Sequence, residues 1–104
     1  MKDGIIKLNT DRGKKFGFFS DLFFGYLWKR GDYIIISFIE SLHEGQGNLS
    51  KLFSSILDEG YGIKVPTPFA RMEKILRLKG FKQTYEYSKT FGEDVEIWVK
   101  EKLW

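Results

Sequence analysis

The chain has 104 residues, of which 42% are hydrophobic and 17% aromatic, and its formal net charge is +3. This length supports one hydrophobic core and one domain, spanning 1–104, and the composition excludes an intrinsically disordered chain. The absence of cysteine excludes disulfides and a cysteine nucleophile, and the single histidine, His43, argues against a histidine metal cluster, so we expect no metal site. No apolar run reaches membrane-spanning length, so we expect a soluble cytoplasmic protein without a membrane partner.

The first third of the chain is predicted to form strands. Gly4 to Asn9 has the apolar content of a short strand, and the polar cluster 9–13 breaks it. Phe16 to Phe19 and Leu22 to Trp28 are predicted to be two further strands. Lys29 to Asp32 has the composition of a hairpin turn, which leads into the central strand of the predicted fold.

The stretch from Tyr33 to Gly60 is the centre of the predicted fold. Tyr33 to Ile39 is almost continuously apolar and rich in β-branched residues, which predicts a central strand covered on both faces. From Leu49 the apolar residues follow helical spacing and predict an amphipathic helix that ends at Gly60. The helix is expected to bury Leu49, Leu52, Phe53, Ile56 and Leu57.

A glycine-rich turn joins this strand to this helix. Gly45 and Gly47 allow a tight turn and leave backbone N–H groups uncovered at the helix N-terminus. Such a terminus carries about half a positive charge and attracts anions, phosphates above all. The turn is therefore either a phosphate site or a strand-to-helix connection that uses glycine for steric reasons alone.

The last third is predicted to add a strand, a helix and two strands. Tyr61 to Val65 alternates as a strand, and Thr67 followed by Pro68 predicts the N-cap and first residue of a helix that ends before Gly80. This helix is expected to bury Phe69, Met72, Ile75 and Leu76, and to expose the basic residues Arg71, Lys74, Arg77 and Lys79 as a solvated face. Phe81 to Thr90 and Val95 to Lys100 are then predicted as antiparallel strands, with Val95, Ile97 and Val99 on one face and Glu96, Trp98 and Lys100 on the other.

The order of elements from Tyr33 to Lys100 resembles the core of the GNAT-type N-acetyltransferases. In that family a central strand leads into a Q/R-x-x-G-x-G/A turn that binds acetyl-coenzyme A; here Glu44, Gly47 and Leu49 stand at the three motif positions. Gly80 and Phe81 match the Gly-Phe pair that opens a later strand. The resemblance implies a single-domain α/β (α+β) fold with a mixed, mostly antiparallel sheet and two helices, without the family's N-terminal helices.

The resemblance also implies site residues. The backbone of the turn would hold the coenzyme A pyrophosphate, through Gly45, Gln46, Gly47, Asn48, Leu49 and Ser50. The free edge of the central strand near Ile39 and Ser41 would pair with the pantetheine amides. Glu40 would be the catalytic base, His43 is a possible second base, and Leu76 stands where the family has a thiolate-protonating tyrosine.

The function implied is transfer of an acetyl group from acetyl-coenzyme A to an amine of a protein or small molecule. The short chain resembles small phage-encoded members of the family. In the family the N-terminal helices help to form the pocket for the acceptor amine, and here a partner subunit or a second copy of the chain could supply that part of the pocket. An alternative is a catalytically inactive GNAT-like fold that acts as a virion-associated or protein-interaction module. A third hypothesis is nucleic-acid binding through Tyr85, Tyr87 and Trp98 beside lysines; because aromatic residues at period two are typical of sheet packing, we do not expect a nucleic-acid partner.

Overall fold

The computed structural model describes residues 2–103 and contains six strands and three helices. In chain order they are β1 (Gly4–Lys7), α1 (Asp11–Lys15), β2 (Phe23–Arg30), β3 (Tyr33–Ser41), α2 (Asn48–Asp58), β4 (Gly62–Pro66), α3 (Ala70–Leu78), β5 (Lys82–Ser88) and β6 (Glu93–Lys100). The strands form one sheet in the order β1-β2-β3-β4-β6-β5, in which β3 and β4 are parallel and the other neighbours antiparallel. The predicted α/β class with a mostly antiparallel mixed sheet is confirmed, although three helices are present where two were expected.

The additional helix lies where the sequence predicted a break followed by a strand. The Thr10 side chain accepts a hydrogen bond from the backbone N–H of Gly13 and caps α1, so the polar cluster begins a short helix. The chain then turns, and Phe16 and Phe18 are 1% and 0% exposed. The predicted strand Phe16 to Phe19 is therefore wrong: its aromatic residues fill the core from a loop.

Helices α2 and α3 cover the same face of the sheet. Each connects two parallel strands and steps across the sheet in the same direction, and right-handed crossovers then place both helices on one side. The core forms between this face and the helices. It contains Ile6, Phe16, Phe18, Phe23, Leu27, Ile34, Ile36, Leu52, Phe53, Ile56, Ile63, Val65, Leu76, Phe81 and Trp98.

The opposite face of β1, β2 and β3 carries apolar side chains that no helix of the described residues covers. We call this surface the open face and define it by Ile5, Phe24, Tyr26, Trp28 and Phe38. Phe24 is 57% and Phe38 48% exposed, and the Phe38 ring lies 5.8 Å from that of Phe24 and 6.3 Å from that of Tyr26. The expectation that the central strand is covered on both faces is therefore wrong.

Two predictions in the last third also need correction. Thr67 has a φ of 38°, Phe69 is the N-cap residue, and α3 begins at Ala70, so Thr67 and Pro68 do not start the helix and Phe69 is 88% exposed. Trp98 is only 2% exposed, because α3 lies over its face of the sheet and the Arg77 guanidinium is 5.1 Å from the centre of its ring. In residues 2–103, no helix has the length and apolar character needed to cross a membrane.

Candidate functional site

The parallel strands β3 and β4 separate after a short ladder. Three residue pairs join them, and the last pair is Ile35 with Lys64. β3 continues to Ser41 paired with β2, whereas β4 ends at Pro66. Within the described chain, the edge of β3 that faces β4 is therefore free of a strand partner from Ile36 onward.

A β-bulge lies on β3 where the separation begins. Tyr26 pairs with Phe38 and Trp28 with Ile35, so one residue of β2 is opposed by two residues of β3, Ile36 and Ser37. The extra residue reverses the order in which the side chains of β3 alternate between the two faces of the sheet. As a result Ile36 is buried on the helix side while Phe38, two residues later, lies on the open face.

The turn from β3 into α2 leaves the start of the helix uncapped. Gly45 and Gly47 have φ angles of 80° and 77°, in the left-handed region that glycine adopts without steric cost. Gly47 is the N-cap residue, so no side chain caps α2, and the first turn of α2 has no acidic residue. Within residues 2–103, no side chain accepts a hydrogen bond from the first N–H groups of α2, so these donors and the partial positive charge remain available to a ligand, whereas the N-terminus of α1 is capped by Thr10.

The free end of β3, this turn and α3 enclose a cavity of ≈ 500 Å³. This volume is in the range of small-molecule and cofactor sites. β3 and the turn contribute Ile39, Glu40, Ser41, His43, Glu44, Gly45, Gly47, Asn48, Leu49 and Ser50. α3 and its flanking residues contribute Phe69, Arg71, Met72, Ile75, Leu78 and Lys79.

The structure brings almost all the site residues predicted from the sequence to this cavity. Gln46 is the exception, since it lies exposed in the turn and does not line the cavity. His43 also lines it. Leu76 is buried in the core, does not line the cavity and has no proton to donate.

The contribution of α3 was missed from the sequence. Arg71 and Lys79, which were interpreted as part of a solvated face, line the cavity together with Leu78, which is 85% exposed. The only sequence signal that α3 lines a cavity is an apolar residue between basic residues. The same pattern is found on helix surfaces that face bulk solvent.

An ion pair joins the two sides of the cavity. Nη1 of Arg71, on α3, lies 2.8 Å from Oε2 and 3.0 Å from Oε1 of Glu44, in the turn before α2. Glu44 is the residue that the resemblance aligns with the first position of the Q/R-x-x-G-x-G/A pattern. Its carboxylate is thus held by a cation across the cavity.

Glu40 lies between the cavity and the open face. It lines the cavity, and its sheet partner is Phe24, so by strand alternation its side chain shares a face with Phe24 and Phe38. An exposed carboxylate in this position can accept a proton from, or form an ion pair with, an amine that approaches from the open face.

Comparison with known proteins adds no assignment: no protein-family model, curated protein or solved structure matches this chain. Within residues 2–103, no group of three or more histidine, cysteine, aspartate or glutamate side chains could hold a metal ion. The site is therefore interpreted from its own geometry.

Proposed function

We propose that the protein is an acyl-coenzyme A dependent N-acetyltransferase that transfers an acetyl group from acetyl-coenzyme A to an amine. The proposal depends on one observation: a free strand edge and an uncapped helix N-terminus both border the same cavity. The free edge of β3 near Ile39 and Ser41 offers backbone groups to the pantetheine amides, and the uncapped N-terminus of α2 offers N–H donors to the pyrophosphate. A free strand edge beside a glycine-rich turn is the arrangement that the resemblance to the GNAT-type enzymes implies for the cofactor site.

The chemistry assigned to the chain follows from the position of Glu40. The thioester carbonyl would lie in the gap between β3 and β4, and the acceptor amine would approach it from the open face. As the amine nitrogen attacks the carbonyl carbon, Glu40 would accept the proton that the nitrogen loses. The new C–N bond forms as the C–S bond breaks. Leu76 has no proton to donate, and the tyrosines that could replace the family's acid, Tyr61, Tyr85 and Tyr87, lie outside the cavity lining. The leaving thiolate therefore takes its proton from water.

A calorimetric titration with acetyl-coenzyme A, together with a thiol-release assay, tests this proposal. We expect binding in the micromolar range, and slow thiol release that an amine acceptor accelerates. No binding at millimolar acetyl-coenzyme A would overturn the transferase proposal.

The open face favours a second candidate, a non-catalytic module that associates with its own copy. Monomeric proteins rarely expose large contiguous apolar patches. Lys7 pairs with Tyr26 at one border of this face and Glu40 pairs with Phe24 at the other, so a two-fold axis can bring the opposite charges of two copies together. Sedimentation velocity of the wild type and of Phe38→Ser tests this candidate: a dimer that Phe38→Ser dissociates, in a protein that binds no coenzyme A, would favour the module over the enzyme.

A further inference from the structure

The ion pair between Glu44 and Arg71 bridges the β3–α2 turn and α3, and both residues line the cavity. A ligand whose anionic part rests on the turn therefore comes within reach of the Arg71 guanidinium.

Stability of the fold does not account for this pair. The Glu44 and Arg71 side chains are 52% and 77% exposed, and ion pairs at such exposure contribute little to folding because water and salt screen them. Such a pair also exchanges partners readily. A phosphate group is a stronger partner for a guanidinium than a solvated carboxylate is, because it carries more charge and accepts two parallel N–H bonds.

We infer that Arg71 is a binding residue for a phosphate group of the ligand, and that Glu44 occupies its guanidinium until that phosphate arrives. The inference rests on the proposed function, since the phosphate in question is that of coenzyme A. It also gives Glu44 a role that a carboxylate beside a phosphate site otherwise lacks. While it is paired with Arg71, the Glu44 carboxylate competes with the phosphate for the guanidinium and so lowers the affinity of the protein for the ligand.

The experiment measures the affinity of coenzyme A and of pantetheine, which lacks the phosphates, by calorimetry. The variants are Arg71→Ala, Glu44→Gln and the double variant. Lys74→Ala is the matched control, because Lys74 is an exposed cation of the same helix that does not line the cavity.

We expect Arg71→Ala to weaken coenzyme A binding at least about tenfold, which is near the lower end of the range for a hydrogen bond to a charged group. Glu44→Gln should tighten it about threefold by freeing Arg71. This gain should disappear in the Arg71→Ala background, and Lys74→Ala should bind as the wild type does. None of the variants should change pantetheine binding.

The possible failures are distinguishable. Wild-type protein that binds no coenzyme A would overturn the proposed function and this inference with it. Binding that Arg71→Ala leaves unchanged would overturn the inference alone. Tightening by Glu44→Gln to the same extent with and without Arg71 would also overturn it, since Glu44 would then act by repelling the phosphate and not by holding Arg71.

Discussion

A Cβ atom on Gly25 would collide with the backbone carbonyl oxygen of Phe38, on the neighbouring strand. Gly25 is in β2 beside the bulge of β3, and its φ of 126° is one that residues with a side chain rarely adopt. The absence of a side chain at position 25 therefore allows the two strands to approach at the bulge, the feature that turns Phe38 to the open face.

We predict that Gly25→Ala destabilises the protein by at least about 2 kcal/mol, because a Cβ atom there meets backbone that cannot move aside and the backbone angle itself is strained. Chemical denaturation followed by circular dichroism measures this free energy of unfolding. Gly17→Ala is the control: Gly17 also has a positive φ, 74°, but its Cβ would meet no atom within 4 Å, so the loss should be limited to about 1–2 kcal/mol. Equal losses in the two variants would show that contact with Phe38 contributes nothing.

The sequence predicted the elements whose signals are local and periodic. The apolar run of β3, the helical spacing from Leu49 and the alternation of β5 and β6 each identify an element without knowledge of the rest of the chain. The turn residues at the cavity were predicted for the same reason, since glycines between a strand and a helix have a specific local geometry.

The features that the sequence did not reveal depend on tertiary contacts. Trp98 alternates with apolar residues as a solvent-facing residue would, but α3 covers its face of the sheet. Arg71 has the spacing of a solvated helix position, and only the packing of α3 beside the β3–α2 turn brings it to Glu44. The bulge at Ser37 follows from pairing with β2, so the period of β3 alone could not predict it.

The turn glycine Gly47 provides the most direct test of the cofactor site. We predict that Gly47→Glu abolishes coenzyme A affinity, because it places a carboxylate where the pyrophosphate is proposed to bind. The fold should survive: a Cβ at position 47 meets no atom within 4 Å, and only the left-handed φ of 77° costs stability, about 1–2 kcal/mol. Calorimetry and chemical denaturation measure the two effects.

Gly92→Glu is the matched control for this variant. Gly92 has a φ of 67° and equally open surroundings, but lies in the turn between β5 and β6. Both variants should lose similar stability, and only Gly47→Glu should lose affinity. Unchanged affinity in a folded Gly47→Glu protein would mean that any cofactor site lies elsewhere.

Glu40→Gln separates catalysis from cofactor binding. The amide keeps the size of the side chain but cannot take a proton, so we predict that turnover falls by roughly 10²- to 10⁴-fold. Coenzyme A affinity should stay within about twofold, since the proposed cofactor contacts of β3 are made by its backbone. Steady-state thiol release with a saturating amine, beside a calorimetric titration, measures both quantities.

Glu59→Gln is the control for Glu40→Gln, because Glu59 is an exposed glutamate at the C-terminus of α2, outside the cavity lining. It should leave turnover unchanged. If Glu40→Gln also turns over at the wild-type rate, Glu40 is not the base, and His43 becomes the residue to test.

The N-terminal strand is attached by a carboxylate whose ionisation should affect stability. Asp3 accepts hydrogen bonds from Nζ of Lys29 at 2.9 Å and from the backbone N–H of Gly31 at 3.1 Å. The bond from Lys29, followed by that from Gly31, lowers the pKa of Asp3 below its ordinary value of 3.8. Lys29 is itself only 9% exposed, so Asp3 also supplies the partner of a buried cation.

A carboxyl group with a lowered folded-state pKa stabilises the fold above its unfolded-state pKa, and this contribution is lost as the pH falls through the folded-state pKa. We therefore predict that Asp3→Asn is less stable than the wild type at neutral pH, and that the difference shrinks below about pH 4, where the wild-type carboxyl becomes protonated. Urea denaturation between pH 2 and pH 7 measures the difference. Asp21→Asn is the control, since Asp21 forms no ion pair within residues 2–103, and at neutral pH it should cost less stability than Asp3→Asn. A stability difference for Asp3→Asn that is independent of pH would show that the contact with Lys29 does not depend on the charge of Asp3.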